Sequence, residues 1–248
     1  MDQALIYQSL AKDYDGLSNQ VFYRYFMEKL VAIASAAPAG CALDLACGTG
    51  ISTEVLVRNF PKLKWSAIDV SQNMLDRASA KSTLSDVNFF SGSAEMLPFT
   101  DQSFDAVFCS FGLHWFDSRA VDEIRRVLKP GGKAHLVVPL RSRNVGSSGN
   151  DALFRWLLSR RTELGRLKSQ GFERAELEAL FSGWSRFSFK ESRLTERFKS
   201  TSELFATLKS RGSLNAILNN PFLSEFELPL SKSELNFEWS VGLLSVYP

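Results

Sequence analysis

The sequence has little excess charge of either sign. Its 248 residues carry 29 lysines and arginines against 27 acids, a formal net charge of +2. A nucleic-acid partner calls for a strongly basic stripe, so none is expected. Cysteine is scarce: Cys41, Cys47 and Cys109, with no CxxC pair. A disulfide framework is thereby excluded; buried reduced thiols and no metal ion are expected. No apolar run reaches the ~18 residues that a membrane-spanning helix needs. The opening MDQALIYQSLAKDYDG contains acids and lacks an apolar stretch, so neither a signal peptide nor a membrane partner is expected, and the location is expected to be cytoplasmic. Internal repeats and low-complexity tracts are missing too. No P-loop Gly-Lys-Ser/Thr occurs, and the one glycine pair that ends an apolar strand does not extend to G-x-G-x-x-G.

Apolar material is plentiful. The chain is 45% hydrophobic and contains 20 phenylalanines, enough to fill a sizeable core or to line an apolar pocket. From Cys41 to Leu140, five apolar segments (CALDL, KWSAIDV, VNFFSGS, FDAVFCS, KAHLVVPL) alternate with amphipathic ones such as SRAVDEIRRVLK, where Val121, Ile124, Val127 and Leu128 share a face. KPGG at 129–132 reads as a helix stop and turn. Such alternation predicts an α/β fold with parallel strands covered on both faces. Before it, VFYRYFMEKLVAIASAA reads as a helix stopped at Pro38. After Leu140, helical segments follow within 151–220, and two late strands are expected near 184–198 and 236–248. A single domain of 1–248 is expected: a cofactor-binding core at 41–140, a helical cap and acceptor region at 1–40 and 141–220, and a final strand region at 221–248.

The stretch ALDLACGTG at 42–50 ends a strand in small residues, Ala46, Cys47, Gly48, Thr49 and Gly50, immediately before ISTEVLVRNF. A strand, glycine turn and helix start present unpaired N–H groups to a ligand that comes close to the main chain. Asp69, 21 residues after Gly48, ends the second strand and is spaced to accept from both hydroxyls of a ribose; the alternative is a cap for the helix that starts at Ser71. Asp44 is a carboxylate inside an apolar strand, costly unless paired. A ligand ammonium or the N–H groups of the turn would offset that cost. Ribose, cation and backbone contact without pyrophosphate describe S-adenosylmethionine.

LDLACGTG, AIDVSQNML, GSAEMLPFTDQSFDAVFCS and RRVLKPGG resemble, in order and spacing, the motifs of class I S-adenosylmethionine-dependent methyltransferases, over about residues 41–140. The resemblance implies a Rossmann-like, doubly wound, mostly parallel seven-stranded sheet. It implies that Gly48 and Gly50, with Asp44 and Ala46, line the methionine moiety and that Asp69 holds the ribose. Val70 and Met74 would flank the adenine; Ser93, Ala94 and Glu95 would meet its edge. Ser110, ending the fourth strand, would face the cofactor. Many relatives carry Asp where this chain has Ser93, which accepts a hydrogen bond without charge.

For the methyl acceptor, His114 in CSFGLHWFD is the candidate base, with Trp115 as a pocket wall; the alternative is that both pack the loop onto the core. His135 reads as a satisfied sheet residue. The order of elements after Leu140 resembles the malonyl-acyl-carrier-protein methyl ester synthases of biotin biosynthesis, and ERFKSTSELFATLKSRGS resembles their Leu-Lys-x-x-Gly segment. That likeness offers Lys209 and Arg211 for an acceptor carboxylate, against their being a solvated helix end, and Tyr14 of YQSLAKDYDG as a residue closing over the cofactor. FGLHWFD also resembles the trans-aconitate type of carboxyl methyltransferase. The partners expected are a small-molecule or carrier-bound acyl acceptor and either no second subunit or one. An apolar natural product methylated with His114 as base, and a non-methylating binding protein, stay open.

Overall fold

The structure is a computed structural model that describes residues 7, 10–12, 14–34, 39–141, 171–211 and 235–248, apart from the side chains of Thr201, Phe205, Lys209 and Leu235. The expected helices at 151–170 and 212–220 lie outside those residues. Helix α1 (Leu17–Val31) starts four residues earlier than the aromatic-rich segment suggested and buries Phe22, Tyr23, Phe26, Met27 and Leu30 on one face. The alternating region then supplies β1 (Gly40–Leu45), α2 (Ile51–Asn59), β2 (Leu63–Asp69), α3 (Gln72–Ser79), β3 (Asn88–Ser91), β4 (Phe104–Ser110), α4 (Ser118–Val127) and β5 (Leu128–Pro139). Helix α5 (Arg174–Leu180), β6 (Arg186–Phe198), α6 (Thr201–Ser210) and β7 (Leu235–Tyr247) follow.

The seven strands lie in the order β3-β2-β1-β4-β5-β7-β6. The first five are mutually parallel, and β7 runs antiparallel between β5 and β6. Strand order reverses between β1 and β4, which opens the crevice over their carboxyl ends. One expectation fails in detail. KPGG does not separate α4 from the strand: β5 starts at Leu128, opposite Phe104, and slips register before Lys133 pairs with Ala106. Gly131, at φ +79°, absorbs the slip, because only glycine takes that backbone without strain.

Period-two alternation sorts the core. Leu43 and Leu45 of β1 join the layer under Ile124, Val127, Leu177 and Phe181, while Ala42 joins the layer under Phe22, Phe26, Val55 and Leu56. Asp44 shares Ala42's parity, so its carboxylate lies beneath α2. Cys47 and Cys109 are buried and Cys41 half-buried, all as free thiols.

Strands β6 and β7 pair over 13 residues each, but β7 meets β5 only from Val241 to Val246. The remaining ribbon extends past the carboxyl end of β5 and reaches α1. Trp239 lies 5.0 Å from Phe22, and the Tyr25 hydroxyl donates to the Arg193 carbonyl at 3.1 Å. Arg211 fastens this junction. Its guanidinium donates to both oxygens of Glu196 at 2.6 and 2.8 Å and to the Ser18 carbonyl at 3.1 Å, and lies 4.0 Å over Phe22. Trp239 Nε1 also donates to Glu196, at 2.5 Å. The side chain of Arg211 is 1% exposed and that of Glu196 16%. Arg211→Met should lower unfolding stability in urea by about 3 kcal/mol, because Glu196 then stays largely desolvated without its cation; Glu196→Gln should cost less than that.

Candidate functional site

The glycine turn is left-handed at three places: Ala46 (φ +58°), Gly48 (φ +55°) and Gly50 (φ +82°). The two glycines do different work. A methyl on Gly50 would meet Leu84 Cδ1 at 2.6 Å and Ala78 Cβ at 3.3 Å, so Gly50 lets the start of α2 pack against α3 and the turn at 82–84. A methyl on Gly48 would meet nothing within 4 Å. Gly50 is therefore required for packing, whereas space lies beyond the Cα of Gly48 among the described residues.

Asp69 fastens this turn. Gly48 N–H donates to Oδ2 at 2.8 Å and Ser71 N–H to Oδ1 at 2.9 Å. Asp69 thus holds the main chain at the start of α3, close to the capping role foreseen for it, and it also reaches the turn after β1, which the sequence did not signal. Burial pushes its carboxyl up, while the N–H groups of Ser71, Gly48 and Val70 pull it down. Two adenine-site expectations separate here. Val70 is half-exposed, an apolar side chain in reach of a ring, whereas Met74 is fully buried.

Asp44 is fully buried. Thr53 Oγ1 donates to its Oδ2 at 2.6 Å, and Oδ1 has no partner among the described residues. Burial raises its pKa to about 7, the Thr53 hydroxyl pulling it down and Asp69 adding to the rise. Ser110 Oγ is likewise enclosed without a partner among the described residues. Beyond β3, Ser93 Oγ donates to Glu95 Oε2, and Asp117 N–H donates to Glu95 Oε1 at 3.2 Å; Ala94 between them is buried. Glu95 thus joins this loop to the residue that caps α4.

The N-terminal segment is tied to the turn. Thr49 Oγ1 donates to Asp15 Oδ1 at 2.5 Å, and Lys81 Nζ sits 3.6 Å from Asp15 Oδ2. Tyr14 donates to the Tyr23 hydroxyl at 2.6 Å with the rings stacked 5.5 Å apart. Tyr7 packs edge-on to Tyr14 and Trp115, at 6.2 and 5.8 Å. Burial raises all three phenols, and the charge of Asp69 adds to the rise at Tyr7 and Tyr14. These side chains therefore stay neutral beside that carboxylate.

The loop after β4 crosses the turn. Phe111 takes φ +55°, held by Phe22, Tyr23 and Phe26 at 5.2–5.9 Å. Gly112 is forced by contact: a methyl there would lie 2.8 Å from Ala46 Cβ and 3.0 Å from Phe116 Cζ. His114 follows with its ring 4.8 Å from Trp115, its Nδ1 unpartnered among the described residues, and burial lowering its pKa to about 3. It is a neutral hydrogen-bonding group across the physiological range. On its far side, Phe116, Arg141, Phe172, Glu176 and Leu180 join it around a cleft of about 370 Å³. His135 is the expected sheet residue: buried, its Nδ1 is 2.8 Å from Ser245 Oγ, and burial holds it neutral. Arg211 does not face an acceptor; Glu196 occupies it. The side chain of Lys209 lies outside the described residues.

Residues 43–136 match the family described as the methyltransferase domain. The chain is 34% identical over 131 residues to a malonyl-[acyl-carrier protein] O-methyltransferase of Herminiimonas arsenicoxydans, covering 52% of this chain and 48% of that protein. It is 39% identical over 104 residues to a demethylmenaquinone methyltransferase of Chlorobaculum parvum, covering 41% and 42%. The chain thus spans about half the length, or less, of these relatives. Among solved structures, the YcgJ protein of Bacillus subtilis superposes with TM-score 0.61 at 19% identity, covering 90% of this chain and 98% of that one. That likeness is one of fold.

S-adenosylmethionine fits the residues present. There is space beyond the Cα of Gly48, Asp69 keeps lone pairs beyond the two main-chain bonds, and Asp44 Oδ1 is buried without a donor among the described residues. Four participants had no signal in the sequence. Thr53, Asp15, Phe111 and Arg141 are brought in by helix packing, by loop docking and by a strand end.

Asp44 gives a pH dependence. Its folded-state pKa, about 7, lies above the ordinary value near 3.9. The unfolded chain therefore sheds this proton first, and stability falls as pH rises from about 4 to 7 and levels beyond. Asp44→Asn should remove a fall of up to about 4 kcal/mol from the ligand-free protein. Urea unfolding of both proteins at pH 4 and pH 8 tests it: an unchanged difference between them would refute an uncompensated carboxylate.

Proposed function

We propose that the protein is an S-adenosylmethionine-dependent methyltransferase that methylates the carboxylate of a small or carrier-bound acyl acceptor. The observation that carries the cofactor reading is the glycine turn held by the Asp69 carboxylate, with space beyond the Cα of Gly48 and with Asp44 Oδ1 lacking a donor among the described residues. When bound, the cofactor supplies a methyl already activated on a sulfonium. The chain's part is to bind, orient and exclude water.

Each role follows from a placement. Asp69, with backbone N–H groups on both oxygens, offers remaining lone pairs to ribose hydroxyls. Asp44 offers Oδ1 to the cofactor ammonium, whose charge offsets the burial that raises its pKa. Val70, half-exposed, offers an apolar edge to the adenine, with Ser93 and Glu95 on the neighbouring loop. Tyr7, Tyr14 and Trp115 wall the site with neutral rings, so desolvation there costs no buried charge. An ionised carboxylate acceptor needs no base. His114 then serves as a neutral hydrogen-bond acceptor at the cleft mouth.

The malonyl-type relatives support the acyl carboxylate. A second reading, methylation of a hydroxyl or carbon on an apolar body, is favoured by the unpartnered Nδ1 of His114 beside Phe116, Phe172 and Leu180. The demethylmenaquinone relatives point the same way.

Asp69→Ala should weaken binding of S-adenosylhomocysteine by calorimetry by about 1.5–3 kcal/mol, since charge-assisted hydrogen bonds are lost; unchanged affinity would remove Asp69 from the site. Transfer of labelled methyl to a panel of carboxylates, acyl thioesters and phenols then separates the two acceptor readings. Label in carboxylates that is insensitive to His114→Ala supports the first, and label in phenols alone supports the second.

A further inference from the structure

We propose that Arg141 is the residue that recognises the acceptor carboxylate, and that Glu176 holds its place until the acceptor arrives. This rests on the carboxylate reading above. Arg141 follows the last residues of β5, at the carboxyl edge of the sheet. Its backbone is pinned on both sides: Arg141 N–H donates to the Phe172 carbonyl at 3.0 Å, and Phe172 N–H to the Pro139 carbonyl at 2.9 Å. Its Nε donates to the Gly171 carbonyl at 3.3 Å. The guanidinium is therefore fixed in direction before any ligand binds.

The surroundings select for it. The cleft holding Arg141 is walled by Phe116, Phe172 and Leu180. A carboxylate entering there loses water and needs a fixed, bidentate cation, which arginine supplies. The same cleft is joined to the glycine turn through the loop after β4, because Gly112 sits against Ala46 while His114 and Phe116 line the cleft. An acceptor held by Arg141 would lie against the same loop that packs on the glycine turn.

Glu176 is the stand-in. Its carboxylate accepts from Arg141 Nη2, and Glu173 lies 3.7 Å from Nη1. The Glu176 side chain is 48% exposed, on a helix of only seven residues. The N–H of Glu173, then Arg141, hold its carboxyl below the usual range. An incoming carboxylate replaces like with like at the fork, so the exchange costs little net charge separation. Methylation turns the acceptor into a neutral ester, the methyl cancelling its charge with no proton taken up or released. The ester no longer competes, Glu176 regains Arg141, and product leaves. The buried pair Arg211–Glu196 cannot exchange in this way, because it is enclosed.

The test is calorimetry with S-adenosylhomocysteine present, using two probes: the malonyl thioester of N-acetylcysteamine and its methyl ester. Wild type should bind the acid at least tenfold more tightly than the ester. Arg141→Gln should erase that preference, and Arg141→Lys should restore part of it. Glu176→Gln should tighten the acid several-fold and leave the ester unchanged. Retained preference in Arg141→Gln, or equal weakening of the acid by Arg141→Gln and Glu176→Gln, overturns the inference and makes the pair a strut for α5. Failure of the underlying reading looks different: wild type would then place label only on phenols in the panel and show no acid preference at all.

Discussion

Asp69 ends β2 with both carboxylate oxygens committed to main-chain N–H groups, Gly48 on one side and Ser71 on the other. That one side chain sets the distance between the β1 turn and the start of α3. Everything that defines the cofactor side follows from the spacing: the left-handed turn at 46–50, the open face of Gly48, the exposed Val70 beside it. The arrangement is self-consistent because β1 and β2 are adjacent and parallel, with Leu45 paired to Ile68. The two carboxyl ends must therefore meet, and a carboxylate at the second can reach the turn after the first.

The face of the sheet under α1 is organised by aromatic packing. Phe22 touches Phe26, Phe111 and Trp239 within 5.2 Å, which joins the first helix, the loop after β4 and the β6–β7 ribbon. Phe111 pays for its positive φ through these contacts. Two arginine–glutamate pairs then differ in role through burial alone. Arg211–Glu196 is enclosed and carries a desolvation cost that only its partners offset, so it is a structural joint. Arg141–Glu176 is exposed, worth little as an ion pair in itself, and open to exchange.

Between these two sides, several buried titratable groups are neutral. The phenols of Tyr7, Tyr14 and Tyr23 and the imidazole of His114 are neutral by burial. The two carboxyl groups at the glycine turn, Asp44 and Asp69, are both pushed up by burial. A cationic sulfonium ligand would be accommodated by that division, while the charged pair Arg141–Glu176 stands apart in the cleft.

The sheet was readable from sequence because its signals are local. Continuous apolar strands, amphipathic helices and a strand–glycine–helix junction depend on neighbours a few residues apart, and both late strands fell within two residues of expectation. Asp44, Gly48 and Asp69 stood out for the same reason, as misfits within regular patterns. The start of β5 was not readable, since KPGG breaks helices locally while pairing with β4 draws Leu128 into the sheet. Gly50 and Gly48 look alike in sequence; only the position of Leu84 and Ala78 separates a packing glycine from an open one. Arg211 and Arg141 are likewise indistinguishable as letters. Sequence by itself determined the fold class and the ligand-facing strand ends, because strand period and turn chemistry are short-range. Tertiary structure alone decided which arginine is buried against a glutamate and which stands in a cleft, because desolvation depends on what distant segments place around a charge.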